Sequence, residues 1–196
     1  MEVVAIDQLV SRVVAREPRA AATRVVAIDG PSGSGKTTLA RRIRRRLRCP
    51  SVHMDALYPG WDGLAEAPGL LFDQVLAPLA AGEDAGYRRW DWDADRWAER
   101  HPVRAADVLL VEGVGSGALA CAPFLSFLLW IEAPRDERMR RGIERDGETY
   151  RPHWERWARQ EAALFSTDRT RERADLRLDG HSDLAHDPER EVVTVG

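Results

Sequence analysis

VVAIDGPSGSGKTTLA, Val25–Ala40, is the stretch on which the rest of the chain depends. Its middle, GPSGSGKT at Gly30–Thr37, fits the spacing G-x-x-x-x-G-K-[ST]. Before it runs a short apolar segment, Arg24–Asp29, rich in valine and isoleucine; after it comes the helix-forming segment Lys36–Arg48. A strand, a glycine-rich turn and a helix are the context this spacing requires. The glycines let successive backbone N–H groups converge on an anion, and the helix points its positive end at the same place. Gly30, Ser32, Gly33, Ser34, Gly35, Lys36, Thr37 and Thr38 are therefore candidate nucleotide-binding residues. Lys36 suits the β- and γ-phosphates of ATP, and the Thr37 hydroxyl suits Mg²⁺. A dinucleotide loop starting at Gly33 and Gly35 would need a third glycine where Thr38 stands.

Composition sharpens this reading. Lys36 is the only lysine in a chain whose other basic positions are arginine or histidine, so a compact ammonium has been kept at that one place. The 196 residues suit one domain, read as residues 1–196 with an amino-terminal helical extension (1–20) and a tail (181–196). The formal net charge of −3 argues against a nucleic-acid partner, despite the arginines of Lys36–Arg48. The sequence contains no membrane span and no signal peptide, so a cytoplasmic location is expected. Cys49 and Cys121 lack metal-ligand spacing and read as packed thiols.

Working outward, Ile6, Leu9, Val10, Val13 and Val14 predict a helix over residues 3–16. Pro50–Met54, Asp107–Val111, Phe124–Ile131 and Ala174–Leu178 read as strands. Leu70–Leu79, Arg135–Asp146 and His153–Asp168 read as helices. Strands alternating with helices give an α/β fold with a mainly parallel central sheet. In such a sheet ligands bind beyond the carboxyl ends of the strands. Asp55 follows the second strand and suits acceptance of a proton from an attacking hydroxyl. Glu112 ends the strand where a carboxylate holds Mg²⁺, through water rather than directly. Arg138, Arg141 and Arg145 fall on one face of their helix, an arrangement suited to neutralising a triphosphate. Tyr87, Trp90 and Trp92, interleaved with acids and followed by Arg96, suit an acceptor pocket.

From Arg24 to about Gly180 the order of these features resembles the uridine kinase group of P-loop kinases, relatives of phosphoribulokinase and pantothenate kinase. VVAIDGPSGSGKTTLA resembles that group's phosphate loop, HMDALY (His53–Tyr58) its second-strand motif, LLVEG (Leu109–Gly113) its metal-side strand, and RMRRGIERD (Arg138–Asp146) its lid helix. The resemblance implies a P-loop three-layer sandwich with a short arginine-rich lid. It also implies phosphoryl transfer from ATP with Mg²⁺ to a hydroxyl of a small acceptor, a nucleoside in the first instance. Asp55 would then be the base, Arg141 and Arg145 lid residues, and Tyr58 an acceptor contact. Two departures stand out: Gly142 replaces a lid arginine, and YRRWDW replaces the usual acceptor-side pattern. Arginines at 88, 89 or 96 facing the acceptor would favour a nucleoside monophosphate instead. A regulatory nucleotide-binding module, lacking an acceptor pocket, is the rival from another class.

Overall fold

A computed structural model describes residues 1–148 and 150–196. In chain order the elements are β1 (Glu2–Ala5), α1 (Ile6–Val14), β2 (Arg24–Asp29), α2 (Lys36–Leu47), β3 (Ser51–His53), α3 (Ala67–Leu71), α4 (Ala77–Ala81), β4 (Ala85–Asp91), β5 (Arg96–Val103), β6 (Val108–Glu112), β7 (Leu125–Glu132), α5 (Arg135–Asp146), α6 (Arg151–Asp168), α7 (Thr170–Arg173), β8 (Leu176–Asp179) and β9 (Glu191–Val195). A π-helical turn, Phe72–Leu76, joins α3 to α4.

The main sheet has the order β1-β9-β8-β7-β2-β6-β3. Its β8-β7-β2-β6-β3 portion is parallel, and β9 and then β1 extend it by antiparallel pairing. The central strands are buried on both faces, as continuous valine, isoleucine and leucine runs require. Val25 and Ala27 of β2, with Leu109 and Val111 of β6, pack into one core with Leu71, Val75, Leu79 and Trp157. Val26, Ile28 and Leu110 face the other way, onto Leu39 and Ile43 of α2 and Leu9 and Val13 of α1. The expected three layers are thus present. Truncating one of the fully buried residues, such as Leu39→Ala, would cost about 2–5 kcal/mol.

Three departures from the sequence reading have identifiable causes. The helix predicted over 3–16 begins only at Ile6, because Val3 and Val4 pair with Val193 and Val192 in β9. The segment read as a tail supplies β9, so the two chain ends meet in one sheet edge. Tyr87–Trp97 is a strand pair: β4 and β5 form a separate antiparallel hairpin. Its turn is closed by Asp91 Oδ1, which accepts the N–H groups of Asp93 and Ala94.

Candidate active site

The parallel strands end at one rim, and there β2 hands over to the phosphate loop. Gly33 has φ +79°, and a Cβ at that position would lie 2.3 Å from the Arg138 carbonyl oxygen of α5, so the loop passes under the lid helix only because glycine stands there. The helix α2 starts without a side-chain cap at Gly35, leaving its first N–H groups for an anion. Lys36 is buried. Its Nζ donates to the carbonyls of Gly30 (2.8 Å) and Pro31 (3.0 Å), which span the loop from below.

Thr37 and Glu112, the two residues expected to hold Mg²⁺, lie side by side: the hydroxyl donates to Glu112 Oε1 at 3.0 Å. His53, at the end of β3, adds a contact that was not foreseen, Nδ1 to the same Oε1 at 2.6 Å. The hydrogen bond that His53 donates to Glu112 pushes the imidazole pKa up. Burial alone would raise the Glu112 carboxyl, but His53, Lys36 and Thr37 together hold it below its ordinary value, so it stays ionised. A hydroxyl and a carboxylate facing one cavity suit Mg²⁺, which takes one or two protein oxygens and leaves its other positions to water and phosphate.

The arginine face of α5 divides. Arg138 lies behind the loop: Nη1 donates to Ser32 O (3.2 Å), Nε donates to Ala133 O (3.1 Å), and Glu161 Oε2 lies 3.7 Å away. Glu161, unread in the sequence, is 3% exposed and accepts the Ser32 N–H at 2.7 Å. Arg141 faces the cavity and ties the lid to the segment after β8, donating to Gly180 O at 3.0 and 3.1 Å and to Glu137 at 2.6 Å. Arg145 lines the same cavity. The missing lid arginine has a steric cause, since a Cβ at Gly142 would lie 2.6 Å from the Tyr150 ring.

A cavity of about 1210 Å³ runs from this loop to Asp55. Tyr58, Trp92 and Asp55 all line it, whereas Tyr87, Trp90 and Arg96 do not. Tyr87 stacks on His101, Trp90 packs on Trp97, and Arg96 stands opposite Asp91 in the backbone register of the hairpin. Trp92 instead crosses to the sheet and donates Nε1–H to the Asp55 carbonyl at 2.9 Å. It meets Trp61 at 5.0 Å and 60°. Trp61, Asp93, Tyr150 and Trp157 complete this aromatic end. Trp61 stacks on His153 at 4.3 Å and 4° and meets Trp157 edge-on. None of these was predictable from periodicity, because Trp61 sits in the irregular stretch after Tyr58 and its partners His153 and Trp157 lie far along the chain.

A family model described as an AAA domain matches residues 26–163. The cytidylate kinase of Pyrobaculum aerophilum is 31% identical over 130 residues, covering 64% of this chain and 62% of that protein. That of Pseudomonas aeruginosa is also 31% identical over 130 residues, covering 64% and 56%. The match therefore spans less than two thirds of the length of these relatives. A solved structure from Bacillus stearothermophilus, described as a possible uridine kinase, superimposes with a TM-score of 0.64 at 22% identity, over 88% of this chain and 96% of its own.

Proposed function

This chain belongs to the AAA domain family, in its P-loop kinase form, and from that premise we propose that it transfers the γ-phosphoryl group of ATP to a hydroxyl of a small acceptor, in the first instance a nucleoside. The observation that carries this reading is the continuity of the cavity. One space is lined by Lys36 and Thr37 at one end and by Asp55, Trp92 and Asp93 at the other. A nucleotide-binding switch without acceptor chemistry has no need of such a second compartment.

In this reading the triphosphate lies along the loop, its β- and γ-oxygens met by the Lys36 ammonium and the N–H groups of the loop and α2. Mg²⁺ held by Thr37 and Glu112, directly or through water, would neutralise charge on the β- and γ-oxygens. The acceptor oxygen attacks the γ-phosphorus as the bond to the β-bridging oxygen breaks, releasing ADP. Asp55 takes the hydroxyl proton. Arg141 and Arg145, on the lid, meet the charge that spreads over the γ-oxygens.

The likeness to cytidylate kinases favours a nucleoside monophosphate as the second reading. That acceptor needs a cation for its phosphate. Arg89 is engaged by Glu99 and Asp91, and Arg88 by the carbonyls of Trp97 and Ala98. The arginines along the cavity, Arg41, Arg42, Arg141 and Arg145, belong to α2 and the lid, while Asp55 and Asp93 face the acceptor end. This distribution supports an acceptor without a phosphate. The test is ATP consumption by the purified protein with paired nucleosides and nucleoside monophosphates. Turnover with the nucleosides supports the first reading, turnover confined to monophosphates supports the second, and none with either removes both.

A further inference from the structure

Asp29 ends β2 directly beneath the phosphate loop and is fully buried. Its Oδ1 accepts the N–H groups of Gly30 (2.7 Å) and Gly115 (3.1 Å), and its Oδ2 accepts that of Gly117 (2.8 Å). One carboxylate thus gathers the first amide of the phosphate loop and two amides of the loop that follows Glu112. That second loop carries Val114, which lines the cavity and whose carbonyl accepts the Tyr58 hydroxyl at 2.9 Å. Ionised carboxylates are rarely buried unless hydrogen bonds or a cation compensate them. Lys36 is the nearby cation, but its Nζ is bonded to the Gly30 and Pro31 carbonyls. The backbone amides therefore hold Asp29 in place.

We infer that Asp29 is a positioning residue that locks the phosphate loop and the Gly113–Gly117 loop into one unit, so that the floor of the donor site and the wall beside Tyr58 move together or not at all. Its consequence for turnover rests on the kinase reading; its consequence for ATP binding does not.

The geometry makes the unit sensitive to acid. Burial pushes the Asp29 carboxyl up to about 6, against the pull of the Gly117 and Gly30 amides, Lys36 and the Gly115 amide. The other titratable groups acting there are Tyr58 and Cys121, with Asp168 and Arg173 beyond Cys121. Above about pH 6 the carboxylate accepts all three N–H groups. Below it, a protonated carboxyl places a hydrogen among the three donors and leaves a weaker, uncharged acceptor, so the tie between the two loops loosens.

Two measurements on the full chain test this. Amide resonances of Gly30, Gly115 and Gly117, followed by NMR across the acid range, should titrate together with one midpoint near 6 and lose that transition in Asp29→Asn. Separate midpoints, or amides that do not respond, overturn the coupling. Calorimetry with ATP should show the variant about tenfold or more weaker than wild type at neutral pH, the expected effect of breaking hydrogen bonds to a charged group. The two affinities should converge as the pH falls through about 6, a comparison in which the titration of ATP itself cancels. Equal affinity at neutral pH overturns the positioning role, even if the chain proves to transfer no phosphate. Should Asp29→Asn not fold, the wild-type amide titration decides alone.

Discussion

At the donor end of the cavity, consecutive residues do the work: Gly30–Thr37 turn once, and the strand and helix on either side aim the turn. At the acceptor end, Asp55 and Trp61 from the stretch after β3, Trp92 from the hairpin and Tyr150 from the start of α6 are held by one another, through Trp92 to the Asp55 carbonyl and through ring packing on Trp61. The first construction tolerates change around it but not within it. In the second, any single ring is replaceable at modest cost, and the set of rings determines what fits. The donor end should therefore respond to substitution by failing, and the aromatic wall of the acceptor end by changing its preference.

The largest expected effect is that of Lys36→Ala. Losing one preorganised donor at a developing charge typically costs about 10²–10³ in rate, and the loss here should reach or exceed the upper figure because no other lysine exists to replace it. Calorimetry should show weakened ATP binding as well. The two bonds from Nζ to the loop carbonyls also disappear, so melting should fall by a few degrees, as removal of about 1 kcal/mol would produce. Equal ATP affinity in variant and wild type would erase the distinction between the two ends.

Asp55→Asn comes next, with a loss of about 10²–10⁴ in turnover and ATP binding retained, since asparagine preserves shape and removes proton acceptance. A variant that melts normally and turns over within a few-fold of wild type would take Asp55 out of the mechanism.

The same contrast explains which parts of the fold are legible in the sequence. A strand, a turn and a helix in direct succession form their contacts locally, so Arg24–Arg48 announces its own structure. β1 does not, because Val3 and Val4 are strand residues only by pairing with β9 at the far end of the chain. The hairpin was hidden for another reason: its turn uses an aspartate side chain and Asp95 at φ +49°, with no glycine to mark it. Of the aromatic residues proposed for the acceptor, Trp92 reaches the cavity, while Tyr87 and Trp90 spend their rings on hairpin packing. Helical spacing placed Arg138, Arg141 and Arg145 on one face but could not show that Glu161 and Ser32 engage the first of them.

Smaller effects are expected on the lid. Arg141→Ala and Arg145→Ala should each lower kcat more than they weaken ATP binding, by about 10–10²-fold, because the charge they meet is greatest in the transition state. Arg141 also anchors the lid to Gly180, so its variant should lose more of both quantities. Unchanged kcat in both would leave the arginine face of α5 as a structural tie to the loop and to Gly180, without a part in transfer.

The smallest effect, and the most discriminating, is that of Trp92→Phe. Phenylalanine keeps an aromatic ring beside Trp61 but cannot donate to the Asp55 carbonyl, so the hairpin loses its polar tie to the sheet. Trp92 is 37% exposed, and a neutral hydrogen bond of this kind contributes about 0.5–1.5 kcal/mol. The variant should fold normally, bind ATP as wild type does, and raise KM for the acceptor by a few-fold to about tenfold, with kcat little changed, because uniform binding rather than transition-state contact has been removed. Each departure from that pattern has a distinct meaning. An unaltered acceptor KM would show that the hairpin does not form the acceptor wall. A fall in kcat without a change in KM would mean that Trp92 orients Asp55 for proton transfer instead of shaping the pocket. A change in ATP affinity would mean that the two ends of the cavity are coupled through Asp55, and that the acceptor side cannot be altered without disturbing the phosphate loop.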